Sequence, residues 1–185
     1  MIYLIGGAPR AGKSILCQQV SAKLKVGWIS TDLLVELLRL KKEEGVKTQW
    51  NAAPKAIIED AQWFYPYLER LIWGASSLAE NYVIEGVDFL PAQVVLLSAQ
   101  YPIRSIFLGC SQMTGETFQQ FPGRSRGYSS LPEEMRRQIV RDVPLWSEFI
   151  GQEAERFSLS YFDMSGDFMQ CLKEAETLLI TSGAN

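Results

Sequence analysis

Residues 7–14, Gly7-Ala8-Pro9-Arg10-Ala11-Gly12-Lys13-Ser14, constrain this chain more than any other stretch: they follow the pattern G-x-x-x-x-G-K-S directly after the apolar run 1–5. Glycines at these places let the backbone bend until successive N–H groups converge on an anion. Lys13 adds a point charge suited to β- and γ-phosphates, and the Ser14 hydroxyl is a ligand type for Mg2+. The pattern carries that meaning only between a strand and a helix. Ile2, Tyr3, Leu4 and Ile5 read as a buried strand, and Ile15, Leu16, Val20 and Leu24 recur at helical spacing. The start of that helix aims the positive end of its dipole at the same anion. Residues 7–14, with Ile15 behind them, are therefore expected to hold the phosphates of ATP together with Mg2+.

At 185 residues the chain is sized for one domain, residues 1–185, and not for two. A hydrophobic share of 47%, a charged share of 21% and a net charge of −3 fit an ordinary globular protein with no general pull toward nucleic acid. The first apolar run is too short for a signal peptide and no stretch has membrane-spanning length, so a cytoplasmic protein without membrane contact is expected. Cys17, Cys110 and Cys171 are scattered without metal-binding or disulfide spacing and read as small core residues. The chain has no histidine. That removes Ser-His-Asp and Cys-His catalysis, imidazole metal sites and histidine phosphotransfer, and leaves proton transfer to carboxylates, water or the nucleotide.

Further along, a short strand over residues 26–30 ends at Thr31-Asp32, where ligands of open parallel sheets bind. Asp32 is a candidate substrate contact, or the N-cap of a helix over 33–40; both are compatible because a cap uses one carboxylate oxygen. A charged connector, 41–45, leads to a helix from about Asn51 in which Ile57, Ala61, Phe64, Leu68, Leu71 and Ala75 mark the buried face and Pro66 a kink. Trp63, Tyr65, Tyr67 and Trp73 fit its core side better than a substrate cleft. The next strand, 82–86, ends in Glu85-Gly86, placing a carboxylate at the same sheet edge as residues 7–14. It suits Mg2+ or an attacking oxygen, or caps the following turn; Asp88 is close enough to assist. A helix over 91–99 and a strand over 103–108 follow.

Residues 112–128 hold three glycines, few large aliphatics, and Arg124 and Arg126 before a helix from Leu131. Residues 122–142 carry five arginines against three acids, a +2 patch in a chain that is otherwise −5. Residues 112–128 are expected to be a lid that closes over phosphates and neutralises transition-state charge; a solvated surface loop is the plainer reading. Arg137 and Arg141 share a helix face and, with Arg124 and Arg126, are the available partners for a substrate phosphate or carboxylate. A strand at 159–162 and a helix at 167–180 complete five strands alternating with helices, the pattern of a parallel sheet covered on both faces.

Taken together, the phosphate loop after the first strand, the aspartate ending the second, the acid-glycine pair ending the third and the arginine-rich segment after the fourth resemble the small P-loop kinases of the nucleoside monophosphate, shikimate and gluconate type. Residues 29–34 (I-S-T-D-L-L), 83–91 (V-I-E-G-V-D-F-L-P) and 106–109 (I-F-L-G) are most similar to 2-phosphoglycerate kinase-like proteins. Where kinases of that kind carry histidine after E-G-V, this chain has Asp88. The resemblance implies a three-layer α/β P-loop NTPase fold with a five-stranded parallel sheet in the order 2-3-1-4-5. It also implies that Asp32 and Glu85 face the acceptor and that Arg124 and Arg126 belong to the lid. The expected activity is transfer of the γ-phosphate of Mg-ATP to a hydroxyl of a small metabolite, with Lys13, Asp32, Glu85, Arg124 and Arg126 in catalysis and Ser14 and Glu85 on the metal. A nucleotide-binding regulator without turnover and a zeta-toxin or polynucleotide-kinase-like enzyme remain as alternatives.

Overall fold

The computed structural model describes residues 1–39, 52–120 and 131–181. Its elements in chain order are β1 (Ile2–Gly7), α1 (Lys13–Leu24), β2 (Gly27–Ser30), α2 (Thr31–Arg39), α3 (Pro54–Ser77), β3 (Tyr82–Glu85), α4 (Pro91–Ser98), β4 (Ile103–Gly109), α5 (Gly115–Gln120), α6 (Glu133–Arg156), β5 (Tyr161–Asp163) and α7 (Phe168–Thr181). Every strand pair is parallel, and the sheet order is β2-β3-β1-β4-β5, as the resemblance implied.

Alternation along β1 explains the three layers. Successive side chains of a strand point to opposite faces. Ile2 and Leu4 join a core with Phe64 of α3, Val94 and Leu97 of α4, and Trp146 and Ile150 of α6. Tyr3 and Ile5 join a second core with Leu16 and Val20 of α1 and Leu172 and Ala175 of α7. All six β1 residues are buried, as a central parallel strand between two helical layers requires.

The buried stripe of α3 is Ile57, Ala61, Phe64, Leu68, Ile72 and Ala75, so Ile72 takes the place expected of Leu71. Spacings of three and four serve equally well from Leu68; Ile72 enters the core and Leu71 packs at its margin. Pro66 lies inside one uninterrupted helix whose neighbours Phe64 and Leu68 are fully buried on either side of it. Trp63, Tyr65 and Tyr67 pack against this core, whereas Trp73 is 46% exposed, with the Arg70 guanidinium 3.9 Å from its ring centroid. Among the described residues, no helix is long and apolar enough to cross a membrane.

Register levels the strand ends where the chemistry was expected. Glu85 pairs with both Ile5 and Ser30, Gly7 with Leu108, and Gly109 with Asp163. The loop leaving β1 thus sits in the middle of the sheet's carboxyl edge, with β3 and β2 on one flank and β4 and β5 on the other.

Candidate active site at the carboxyl edge of the sheet

Two glycines give the loop its shape. Gly7 (φ 126°) and Gly12 (φ 88°) hold conformations that side chains rarely adopt, and a Cβ on Gly7 would lie 2.0 Å from the Leu108 carbonyl oxygen. Between them Arg10 also has a positive φ, 68°, a strained value for a non-glycine residue at a turn of this kind. The Ala8 N–H donates to the Leu108 carbonyl at 2.8 Å, tying the loop to β4. Lys13, 7% exposed, donates from Nζ to the Ala8 carbonyl at 2.7 Å, folding its charge back over the loop at the first turn of α1. Ser14 and Ile15 follow on the exposed side of that turn.

On the β3 flank, the Ser14 hydroxyl donates to Glu85 Oε1 at 3.2 Å. Glu85 is only 3% exposed, and register rather than flexibility brings it there. A hydroxyl and a carboxylate side by side suit Mg2+, which takes few protein ligands and completes its shell with phosphate oxygens and water. Among the described residues no group of three or more acids, cysteines or histidines could hold a metal unaided. Burial, and after it the charge of Glu85, push the Cys17 thiol far above its ordinary value, so this cysteine is packing and not a nucleophile.

On the β2 flank, α2 begins at Thr31, so Asp32 lies inside the first turn and is not the N-cap. Thr31 itself is fully buried and donates from Oγ1 to Asp88 Oδ2 at 2.5 Å. Gly86 makes room for this bond: a Cβ there would come within 1.7 Å of Thr31 Oγ1. Asp32 and Asp88 are both half-buried.

The β4–β5 flank carries a further carboxylate. Asp163 accepts from the Ser111 N–H at 3.1 Å, the Ser165 N–H at 3.0 Å, the Ser165 hydroxyl at 2.6 Å and the Ser111 hydroxyl. Burial opposes its ionisation, but these four bonds win and hold its carboxyl below the usual range. Beside it, burial raises the Cys110 thiol, and the nearby Arg10 charge works in the other direction.

A carboxyl with a depressed pKa contributes stability that is present above its unfolded value, about pH 3.9, and lost as pH falls through the folded one. Asp163→Ala should therefore cost about 1 kcal/mol at neutral pH, solvent screening holding the figure down. Urea unfolding checks it, and the gap between variant and parent should close below about pH 4.

The arginines are less gathered than expected. Arg124 and Arg126, with residues 121–128 of the expected lid, lie outside the described residues; residues 115–120 of that segment form α5. Arg137 pairs with Glu133 one turn back, and Arg141 Nε with Asp142 Oδ1 at 3.0 Å. Arg141 and Asp142 line an open groove of about 600 Å³ between α6 and residues 52–54 before and at the start of α3. Thr31 and Asp163 escaped the sequence reading. An acid closing an apolar strand, the signal used for Glu85, marks Asp163 equally; nothing local marks Thr31.

No family model matches the chain. One curated relative, the adenylate kinase isoenzyme 6 homolog of Drosophila melanogaster, is 28% identical over 88 residues, which is 48% of this chain and 45% of that protein. The chain thus spans about half the length of the curated relative it matches. Among solved structures, it is similar to shikimate kinase from Bacteroides thetaiotaomicron, with a TM-score of 0.55 and 18% identity over 97% of this chain and 98% of that one. A sugar kinase from Janibacter sp. HTCC2649 follows at 0.54 and 12%, covering 98% and 95%. A gluconokinase from Sinorhizobium meliloti 1021 stands at 0.52 and 14%, covering 96% and 90%. Strand order, parallel pairing and these full-length superpositions agree: the fold is that of the P-loop small-molecule kinases.

Proposed function

We propose that the protein is an ATP-dependent phosphotransferase that moves the γ-phosphoryl group of Mg-ATP to a hydroxyl of a small molecule. The observation that carries this reading is the contact between Ser14 Oγ and Glu85 Oε1, 3.2 Å, beside a glycine-shaped loop over which the Lys13 ammonium is folded. Mg2+ there would draw charge from the phosphate oxygens, with Ser14 and Glu85 as its protein ligands. In-line displacement sets the acceptor oxygen and the leaving ADP on opposite sides of the transferred group. The acceptor therefore belongs on the β2–β3 flank with Asp32, and the nucleoside on the β4–β5 flank beside the Asp163 clamp. Asp32 takes the hydroxyl proton as the new O–P bond forms and the bond to the bridging oxygen of ADP breaks. Arg124 and Arg126 would steady the charge that develops on the equatorial oxygens.

Two measurements test this. Calorimetry with Mg-ATP is expected to show one site per chain, and loss of any nucleotide affinity in the intact protein would remove the reading altogether. ADP release stimulated by an added hydroxyl compound separates an enzyme from a regulator that only binds.

A further inference from the structure

We infer that α6 is a lever hinged at Pro144: its second half is fixed to the sheet, while its first half, which carries Arg137 and Arg141, swings as a unit and sets the width of the groove beside residues 52–54. Pro144 lies inside α6 and brings no N–H to the carbonyl of Val140, four places back, so the ladder of helix bonds is interrupted there. Ser147 adds to this by donating from Oγ to the Val143 carbonyl at 2.7 Å, a back-bond of the kind that bends helices. A proline alone does not make a hinge. Pro66 interrupts the ladder of α3 in the same way, yet Phe64 before it and Leu68 after it are fully buried in one core, which holds both halves of that helix together.

At Pro144 the packing changes as well. Trp146, Ile150 and Ala154, after it, belong to the large core on that face of the sheet, with Leu4 of β1 and Phe107 of β4. One turn past the proline, the Cys110 N–H just beyond β4 donates to Ser147 Oγ at 2.8 Å, and the Tyr161 hydroxyl of β5 donates to the Ser147 carbonyl at 3.2 Å. The second half is thereby bonded to the ends of two strands. Ile139 and Val143, before the proline, belong instead to a small separate cluster with Cys110, flanked by Met113, Leu131 and Val140. So few buried side chains hold an element weakly and let it move apart from the main core. The groove of about 600 Å³ spans the join, with Gln138, Arg141 and Asp142 lining it ahead of Pro144 and Phe149 and Gln152 behind. A bend at Pro144 therefore moves one part of its wall against the other and takes Arg137 and Arg141 along.

Pulsed electron resonance between spin labels on introduced cysteines tests it, in a Cys171→Ser background that leaves Cys17 and Cys110 buried. One labelled pair is Glu134→Cys, in the first half of α6, with Lys55→Cys at the start of α3; the other is Glu155→Cys, in the second half, with the same Lys55→Cys, and all three positions are exposed. The first pair is expected to give a distance distribution about twice as wide as the second, as a hinged segment does against a fixed one. Pro144→Ala, which supplies the missing N–H, should bring the first width close to the second, and Pro66→Ala should change neither. Equal widths for the two pairs without any proline substitution would overturn the hinge, and that comparison stands even if Pro144→Ala folds poorly. A first width that a folded Pro144→Ala leaves unchanged, or that Pro66→Ala narrows equally, would overturn it too. The measurement needs neither nucleotide nor acceptor, so its failure and that of the kinase reading are distinct.

Discussion

Lys13→Ala should lower phosphoryl transfer by about 10³-fold while leaving measurable affinity for Mg-ATP. The backbone amides that shape the anion site survive the truncation, because Gly7 and Gly12 set the loop's course and the Ala8 N–H remains bonded to Leu108. What disappears is a charge in a place only 7% exposed, where low dielectric makes it count most as the transferred group develops negative charge. The lysine must also let go of the Ala8 carbonyl, 2.7 Å away, to reach a ligand. Losing that bond costs about 1 kcal/mol of stability, so thermal unfolding separates a folded, inactive variant from a collapsed one. Turnover above a tenth of the parent's in a folded Lys13→Ala protein would end the case for a working phosphate loop.

Glu85→Gln and Asp32→Asn are expected to fail in different ways. Glu85→Gln keeps the volume of a side chain that is 3% exposed and removes its charge, so turnover should fall by about 10²–10³-fold and the Mg2+ concentration for half-maximal rate should rise. Asp32→Asn leaves the metal ligands intact and removes the proton acceptor, so turnover should fall by about 10²–10⁴-fold with an unchanged Mg2+ dependence. A Mg2+ titration of both variants at saturating nucleotide decides it. Equal Mg2+ shifts, or near-normal turnover in both, would reverse these roles.

Much of this edge was legible beforehand because its signals are local. A glycine pattern between strand and helix, and an acid closing an apolar strand, can be read in a window of ten residues; β1, α1, Glu85 and the alternation of strands with helices all came from such windows. The six residues named for the buried face of α3 were read correctly except at one position, where Leu71 and Ile72 both satisfy the periodicity and only packing chooses between them. Asp32 was read as a substrate contact or an N-cap; the helix starting one residue earlier, at Thr31, removes the capping task. The bonds that join distant chain segments left no trace in the sequence. Thr31 to Asp88 and Ser111 to Asp163 span 57 and 52 positions, and serine, threonine and aspartate in loops carry no mark of which partner they will meet. Arg137 and Arg141 were read as ligand partners from charge and spacing, yet nearby Glu133 and Asp142 engage them in the structure.

The position of β1 at the centre of the sheet has a consequence for how such a protein can change. Its loop is a fixed pivot, and the two flanks reach it through different neighbours, β3 on one side and β4 on the other. Substitutions at Thr31, Asp32 or Asp88 therefore touch neither the Asp163 clamp nor the tie from Ala8 to Leu108. On the proposed reading, a chain of this architecture can exchange one acceptor for another by altering a handful of side chains on two strand ends, with nucleotide handling inherited unchanged. The corollary is open to trial by grafting: residues 30–34 and 86–91 transplanted together into a kinase of the same sheet order should carry acceptor preference with them, and either segment alone should not.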